Sequence, residues 1–261
     1  MNRDSRLYIH KRDERPDYEP QLAAVRARAW PRFMLSSESP SREGSRLSKK
    51  FTDFLVVLST EHDEVVGYAH SVPIVWDGDT SSLPEGWDAA IERAANEPDN
   101  GASPNTLVAL AVVVDPKWQG LGVSARLLAE LGAIAARKEY HALIAPVRPS
   151  RRADNMDVPF ERYVESRRAD GLPCDPWLRK HIQVGGRILR IAPRSMVLEA
   201  SIAEWQLWTG LEFPQSGPYI IPGGAAPLEV SLELGRAKYV EPNVWVQHTP
   251  SVLASYPHNR D

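Results

Sequence analysis

One cysteine, Cys174, stands in 261 residues. A single thiol excludes an internal disulfide framework and any cysteine-built metal cluster. An excess of positive charge is missing too. The 31 Lys and Arg against 34 Asp and Glu leave a formal net charge of −3, which offers no electrostatic footprint for nucleic acid or an anionic membrane. No apolar run approaches the length of a bilayer span. The first residues, Met1-Asn2-Arg3-Asp4-Ser5-Arg6, lead into a charged stretch without the apolar core of a signal peptide. Internal repeats and low-complexity tracts are lacking as well. The expectation is a soluble cytoplasmic protein with neither a nucleic-acid nor a membrane partner.

What is present is ordinary globular material, 43% hydrophobic and 25% charged, with enough chain for one large domain or two small ones. Two residue types stand out, 22 prolines and eight tryptophans, pointing to rigid loops and aromatic-lined surfaces around a compact core.

The richest segment runs from Leu107 to Leu128. Leu107-Val108-Ala109-Leu110-Ala111-Val112-Val113-Val114 is a β-branched apolar run that reads as a buried strand, ended by Asp115-Pro116. A glycine-bearing turn, Gln119-Gly120-Leu121-Gly122-Val123-Ser124, follows, and a helix begins near Ser124 with Leu127, Leu128, Leu131 and Ala135 on one face. Free N–H groups at a helix start, together with its dipole, attract anions, and glycines let a ligand approach the backbone. Phosphate binding is the natural inference. No Gly-Lys-Ser/Thr follows, so a Walker loop is excluded. Gly120-x-Gly122-x-x-Ala125 satisfies the loose dinucleotide fingerprint, yet Asp115 to Gln119 intervene between strand and glycine. The stretch 142–148 offers Arg148 rather than the carboxylate that a ribose needs.

The segment instead resembles the acyl-CoA-binding core of the GNAT superfamily of N-acyltransferases, whose signature is Gln/Arg-x-x-Gly-x-Gly/Ala after a Val-x-Pro. Val114-Asp115-Pro116 and then Gln119-Gly120-Leu121-Gly122-Val123-Ser124 stand here, with Ser124 in place of the last Gly/Ala. The resemblance implies that amides around Gln119, Gly120, Leu121, Gly122, Val123 and Ser124 hold the pyrophosphate of acetyl-CoA or another acyl-CoA. It also implies that the backbone of Val112, Val113 and Val114 pairs with the pantetheine arm like an added strand. No metal is implied. The implied fold is α/β, a mixed central sheet flanked by helices and splayed between the strand ending at Val114 and the one starting near His141.

The order of elements agrees. A strand at 6–11, a helix at 18–30 ended by Pro31, a second helix at 45–53 and strands at 54–58 and 65–72 precede the glycine turn. The whole of 1–261 reads as one GNAT-type domain, with insertions at 77–105 and 149–175 beyond the roughly 150 residues such a core needs. Each insertion reads as a lid over the acceptor or as solvated decoration. The first carries a short amphipathic helix over 83–93, the second a helix at 158–166. Residues 187–248 add a strand at 187–191 that 197–200 extends or repeats, strands at 228–232 and 244–246 and a helix over 201–210, and 249–261 reads as a loose tail.

The chemistry of the family is attack by an amine on the thioester carbonyl, with coenzyme A leaving as a thiolate. The proton often comes from a tyrosine near the end of the helix before the sixth strand. Here that helix, with Asp175 as N-cap and Pro176 at its first position, ends in His181-Ile182-Gln183-Val184-Gly185-Gly186. His181 shares a face with Leu178 and Ile182 and takes the tyrosine's slot as proton donor, or is a core histidine. Tyr163 is the reserve. The family's general base, a glutamate on the central strand, is missing, because its window is Val108-Ala109-Leu110. The base then comes from elsewhere, with His70 a candidate or a plain strand histidine, from ordered water, or is not needed; Trp30 and Phe33 contact the acceptor or pack in the core. Arg148, Arg151 and Arg152 form a basic set for the nucleotide 3′-phosphate or for solvent. The implied activity is N-acylation of a small-molecule amine. The alternatives are thioester decarboxylation or transfer involving an acyl carrier protein, and a non-catalytic acyl-CoA sensor.

Overall fold

The computed structural model describes residues 6–36, 50–96 and 103–256. The first half of the chain runs β1 (Leu7–Lys11), α1 (Glu19–Ala29), β2 (Leu55–Thr60), β3 (Val65–Ile74), α2 (Trp87–Asn96), β4 (Thr106–Val114), α3 (Val123–Arg137) and β5 (Ala142–Val147). The second half continues with α4 (Phe160–Glu165), α5 (Pro176–Gln183), β6 (Arg187–Ser201), α6 (Ile202–Thr209), β7 (Gly217–Tyr219), β8 (Leu228–Ser231), β9 (Arg236–His248) and α7 (Pro250–Ala254). Among the described residues no helix is long and apolar enough to cross a membrane.

The nine strands among the described residues form one sheet. β1 to β4 pair in antiparallel sequence, and β4 meets β5 in parallel over three register pairs only, from Thr106 with Ala142 to Val108 with Ile144. Beyond Val108 the two strands part, as the splay expected from sequence requires. β9 closes the far side, pairing with β5 and β8 along one edge and with β6 along the other. The sheet is mostly antiparallel, which excludes a doubly wound dinucleotide fold.

β4 decides what each face receives. Its register against β3 slips between His70 and Ser71, so that Ala111 and Ala109 are partnered and Leu110 is not. One extra residue in a strand reverses the alternation of side chains. Leu107 and Ala109 therefore share a cluster with Val114 under α3, while Val113 packs with Tyr18, Leu22 and Val25 beneath α1 on the opposite face.

Several expectations change. Residues 197–200 extend the strand at 187–191 and do not repeat it: both belong to β6, irregular between Ala192 and Met196. β9 is longer than 244–246 because it pairs along both edges. The helix expected at 45–53 falls largely outside the described residues. The loose tail needs correcting: residues 250–254 form α7, whose Leu253 is wholly buried against α3, so close that a Cβ on Gly132 would lie 3.0 Å from it. A helix of five residues carries too little signal in sequence to stand out from a terminus.

The first insertion is not decoration. Trp87, Ala90, Ile91 and Ala94 of α2 lie in the core beside Trp76 and Trp245. Trp87 donates through Nε1 to the Leu110 carbonyl at 2.8 Å, capping the bulge.

Candidate active site

Where β4 and β5 part, a cleft of about 820 Å³ opens, walled by both strands, the α3 start, α5 and the Trp30–Met34 turn. At one end stands the glycine turn. Gly120 and Gly122 have φ of +78° and +79°, a left-handed conformation that other residues adopt with strain, and a Cβ at either would point into open space. Gly122 is the N-cap of the 15-residue α3 and gives it no side-chain cap. Arg126 is the first residue to bond back, to the Gly122 carbonyl at 3.1 Å, so the N–H groups before it have no intrahelical partner. Such an end suits a pyrophosphate. Gln119, Gly120, Gly122, Val123 and Ser124 line the cleft, while Leu121 projects outward and is not part of the wall.

Val112 and Val114 also line the cleft; Val113, on the α1 face, does not. From Ala109 onward β4 has no strand partner on the β5 side, leaving backbone donors and acceptors for an extended ligand.

His181 forms part of the wall although it is only 1% exposed. The N-cap that starts its helix is as the sequence requires, with Asp175 accepting from the N–H groups of Trp177 and Leu178. Its Nδ1 lies 2.9 Å from Nε2 of His248 on β9. Burial, then the neighbouring imidazole, pushes the His181 pKa well below the ordinary histidine value. That direction favours the neutral ring near neutral pH.

Other residues singled out in the sequence are elsewhere. Tyr163 is buried behind the cleft and donates to Asp175 Oδ2 at 2.8 Å, where it braces the cap of α5. Burial and that carboxylate raise its pKa. His70 does not reach the cleft, and burial lowers its pKa to about 4. Phe33 is a core residue, packed on Trp205 and Tyr239. Trp30 does line the cleft, as does Trp87.

The basic set comes apart. Arg152 is buried, donating to the Asn155 and Val158 carbonyls. Arg151 pairs with Asp154 at the mouth. Arg148 turns inward and grips Glu241, which is fully buried, through Nε at 2.8 and 2.9 Å. Glu241 also accepts from Tyr239 and Asn243, and the Asn243 side-chain oxygen Oδ1 accepts from Ser195 Oγ at 2.6 Å. Arg148, Glu241 and Asn243 line the cleft. Sequence reasoning misses Glu241; the one signal is a glutamate in a strand that is otherwise apolar toward its end. No group of three or more metal-ligating side chains is found among the described residues.

Comparison with known proteins agrees with this geometry. Residues 20–156 match the family model described as the acetyltransferase (GNAT) family. The arginine N-acetyltransferase avaD of Aspergillus versicolor is 30% identical over 275 residues, covering 89% of this chain and 94% of that protein. The loading GNATL domain of CurA from Lyngbya majuscula superposes with a TM-score of 0.63 at 17% identity over 94% of this chain and 98% of its own. The GphF GNAT-like decarboxylase, solved with isobutyryl-CoA, gives 0.58 at 20% identity over 94% of this chain and 99% of its own. At these identities the two structures speak for the fold. With a glycine turn opening a helix, a splayed sheet, a matching family model and a relative aligned along almost its whole length, the chain belongs to the GNAT family of acetyltransferases.

Proposed function

We propose that this acyltransferase carries an acyl group, acetyl in the simplest case, from coenzyme A to a nitrogen of a small arginine-like acceptor. The observation that supports it most is a single cleft lined by the glycine turn, by the edge of β4 that β5 leaves bare, and by Arg148 and Glu241. The arginine class is suggested by the relative named an arginine N-acetyltransferase.

An acyl-CoA brings an activated carbonyl and a thiolate leaving group. The chain's residues bind and orient. The N–H groups at the α3 start take the pyrophosphate, and the β4 edge beyond Ala109 takes the pantetheine amides. Leu110, the bulged residue without a β3 partner, marks where a backbone donor meets the thioester oxygen. His181, neutral in its wall position, donates a hydrogen bond to charge developing at the reacting carbonyl or sulfur. The net proton passes from the acceptor nitrogen to the sulfur: the N–C bond forms, the C–S bond breaks, and amide and thiol leave. Trp30 and Trp87 flank the acceptor. Arg148 keeps Nη1 without a partner among the described residues and so has a donor for an acceptor oxygen. Residues 1–261 act as one unit in this reading, because β9 joins both halves of the chain in the same sheet.

The test is thiol release from acetyl-CoA across a panel of arginine, agmatine, simple amines and buffer. Release with arginine-like acceptors and N-acetylated product by mass spectrometry is expected. Binding without turnover on any amine would make the protein an acyl-CoA sensor. The apolar base window, Val108 to Leu110, favours one second reading: decarboxylation of a malonyl thioester, on coenzyme A or a carrier protein, needs no base. Carbon dioxide from malonyl-CoA without an amine would establish it.

A further inference from the structure

His248 belongs to the last strand, 67 residues from His181 in sequence, and its ring is 2% exposed. Four observations meet at this pair. His181 Nδ1 and His248 Nε2 are 2.9 Å apart, a hydrogen bond in which one nitrogen donates and the other accepts. His248 Nδ1 is buried without a partner. His181 has no hydrogen bond from Nε2 to a described residue, and its side chain lines the cleft. Finally, the chain leaves no room for anything larger than glycine behind the pair: a Cβ on Gly186 would fall 2.7 Å from His248 Cε1 and 2.5 Å from the His181 carbonyl.

Two tautomeric arrangements satisfy the bond. If His181 donated, the proton of His248 would sit on Nδ1, a buried N–H with nothing to accept it. If His248 donates, its Nδ1 is a bare lone pair. A buried orphan acceptor is tolerated better than a buried orphan N–H. A neutral imidazole that accepts at Nδ1 carries its proton at Nε2.

We propose that His248 is a positioning residue that fixes His181 as its Nε2–H tautomer, so that the cleft is given a permanent neutral hydrogen-bond donor rather than an acid or a base. The inference deepens the acyl-transfer reading and rests on it for the use of that donor, but the tautomer can be read without turnover. A histidine that had to ionise would lose its role each time it gave up its proton. Held as described, His181 presents the same N–H to the reacting thioester on every encounter.

Long-range nitrogen–proton correlation spectra of the histidine side chains in the full chain near neutral pH are the direct test. The expected result is a proton on Nε2 and a bare Nδ1 for both His181 and His248. A proton on His181 Nδ1, or an imidazolium, overturns the proposal, whether or not the protein acylates anything. Two variants extend the test. His248→Phe keeps the bulk and removes the donor; His181 should then populate both tautomers and kcat should fall about tenfold or more with KM for acetyl-CoA little changed. His248→Gln, whose amide can donate toward the same nitrogen, should restore the Nε2–H signature and part of kcat. A His248→Phe protein that keeps a pure Nε2–H His181 overturns the positioning role. If wild type shows the expected tautomers but no acyl transfer to any amine, the acceptor reading fails and the positioning by His248 stands.

Discussion

Burial sets the protonation of three histidines, His70, His181 and His248, below the ordinary value, with His70 and His248 pushed down to about 4. In the unfolded chain each would titrate near 6.5. Between those values the unfolded state binds more protons than the folded state, so stability is complete above about pH 6.5 and is lost as pH falls toward 4. A melting series from pH 7.5 to 4.5 should show Tm dropping by several degrees over that span. Replacing His70 by Gln should make the decline shallower. The site makes a sharper demand on a single side chain. His181→Phe should leave acetyl-CoA binding unchanged by calorimetry and lower kcat by about 10²–10³, the usual loss for one aimed donor. A His181→Phe protein with full activity would return the residue to the core.

Among elements, the short ones carry more than their length suggests. Pro250–Ala254 is a five-residue helix, yet Leu253 is entirely buried against α3. Leu253→Ala should cost about 2–4 kcal/mol and lower Tm by roughly 5–15 °C, which thermal unfolding checks directly; an unchanged Tm would mean the helix is not docked in solution. The join between α5 and β6 is under similar constraint. Gly185 has φ of +88°, and Gly186 lies against the His248 ring. Gly186→Ala should therefore displace that ring and lower kcat while leaving the glycine turn 119–124 able to bind acetyl-CoA. Helix α5 itself is legible in the amino-acid sequence, since Asp175, Pro176 and the face shared by Leu178 and His181 are local signals. The partner of His181 is not. Pairing between Arg187–Ser201 and Arg236–His248 brings His248 there, and strand pairing across so long a connection leaves no mark near either residue.

At the scale of the molecule, the parting of β4 and β5 makes the site. Acyl-CoA binding should depend on the glycine turn at its mouth: Gly122→Trp puts a large side chain where φ is +79° and the space is open, and calorimetry should show affinity for acetyl-CoA reduced by at least about tenfold through strain and obstruction. Chelators should leave turnover unchanged, because the chemistry assigned to the cleft uses only hydrogen bonds and the acceptor's own nitrogen.

The sequence by itself determined the strand-turn-helix from Leu107 to Leu128, the N-cap of α5 and the family these features belong to. Each rests on neighbours within a few positions, where backbone sterics and side-chain period act directly. Tertiary structure alone decided which side chains reach the cleft. It turned Phe33 into the core, tied Tyr163 to Asp175, drew Arg148 onto the buried Glu241 and set His248 against His181. A bulge at Leu110 and a sheet closed by β9 fix those meetings, and a residue's local sequence does not encode which distant strand will pair beside it.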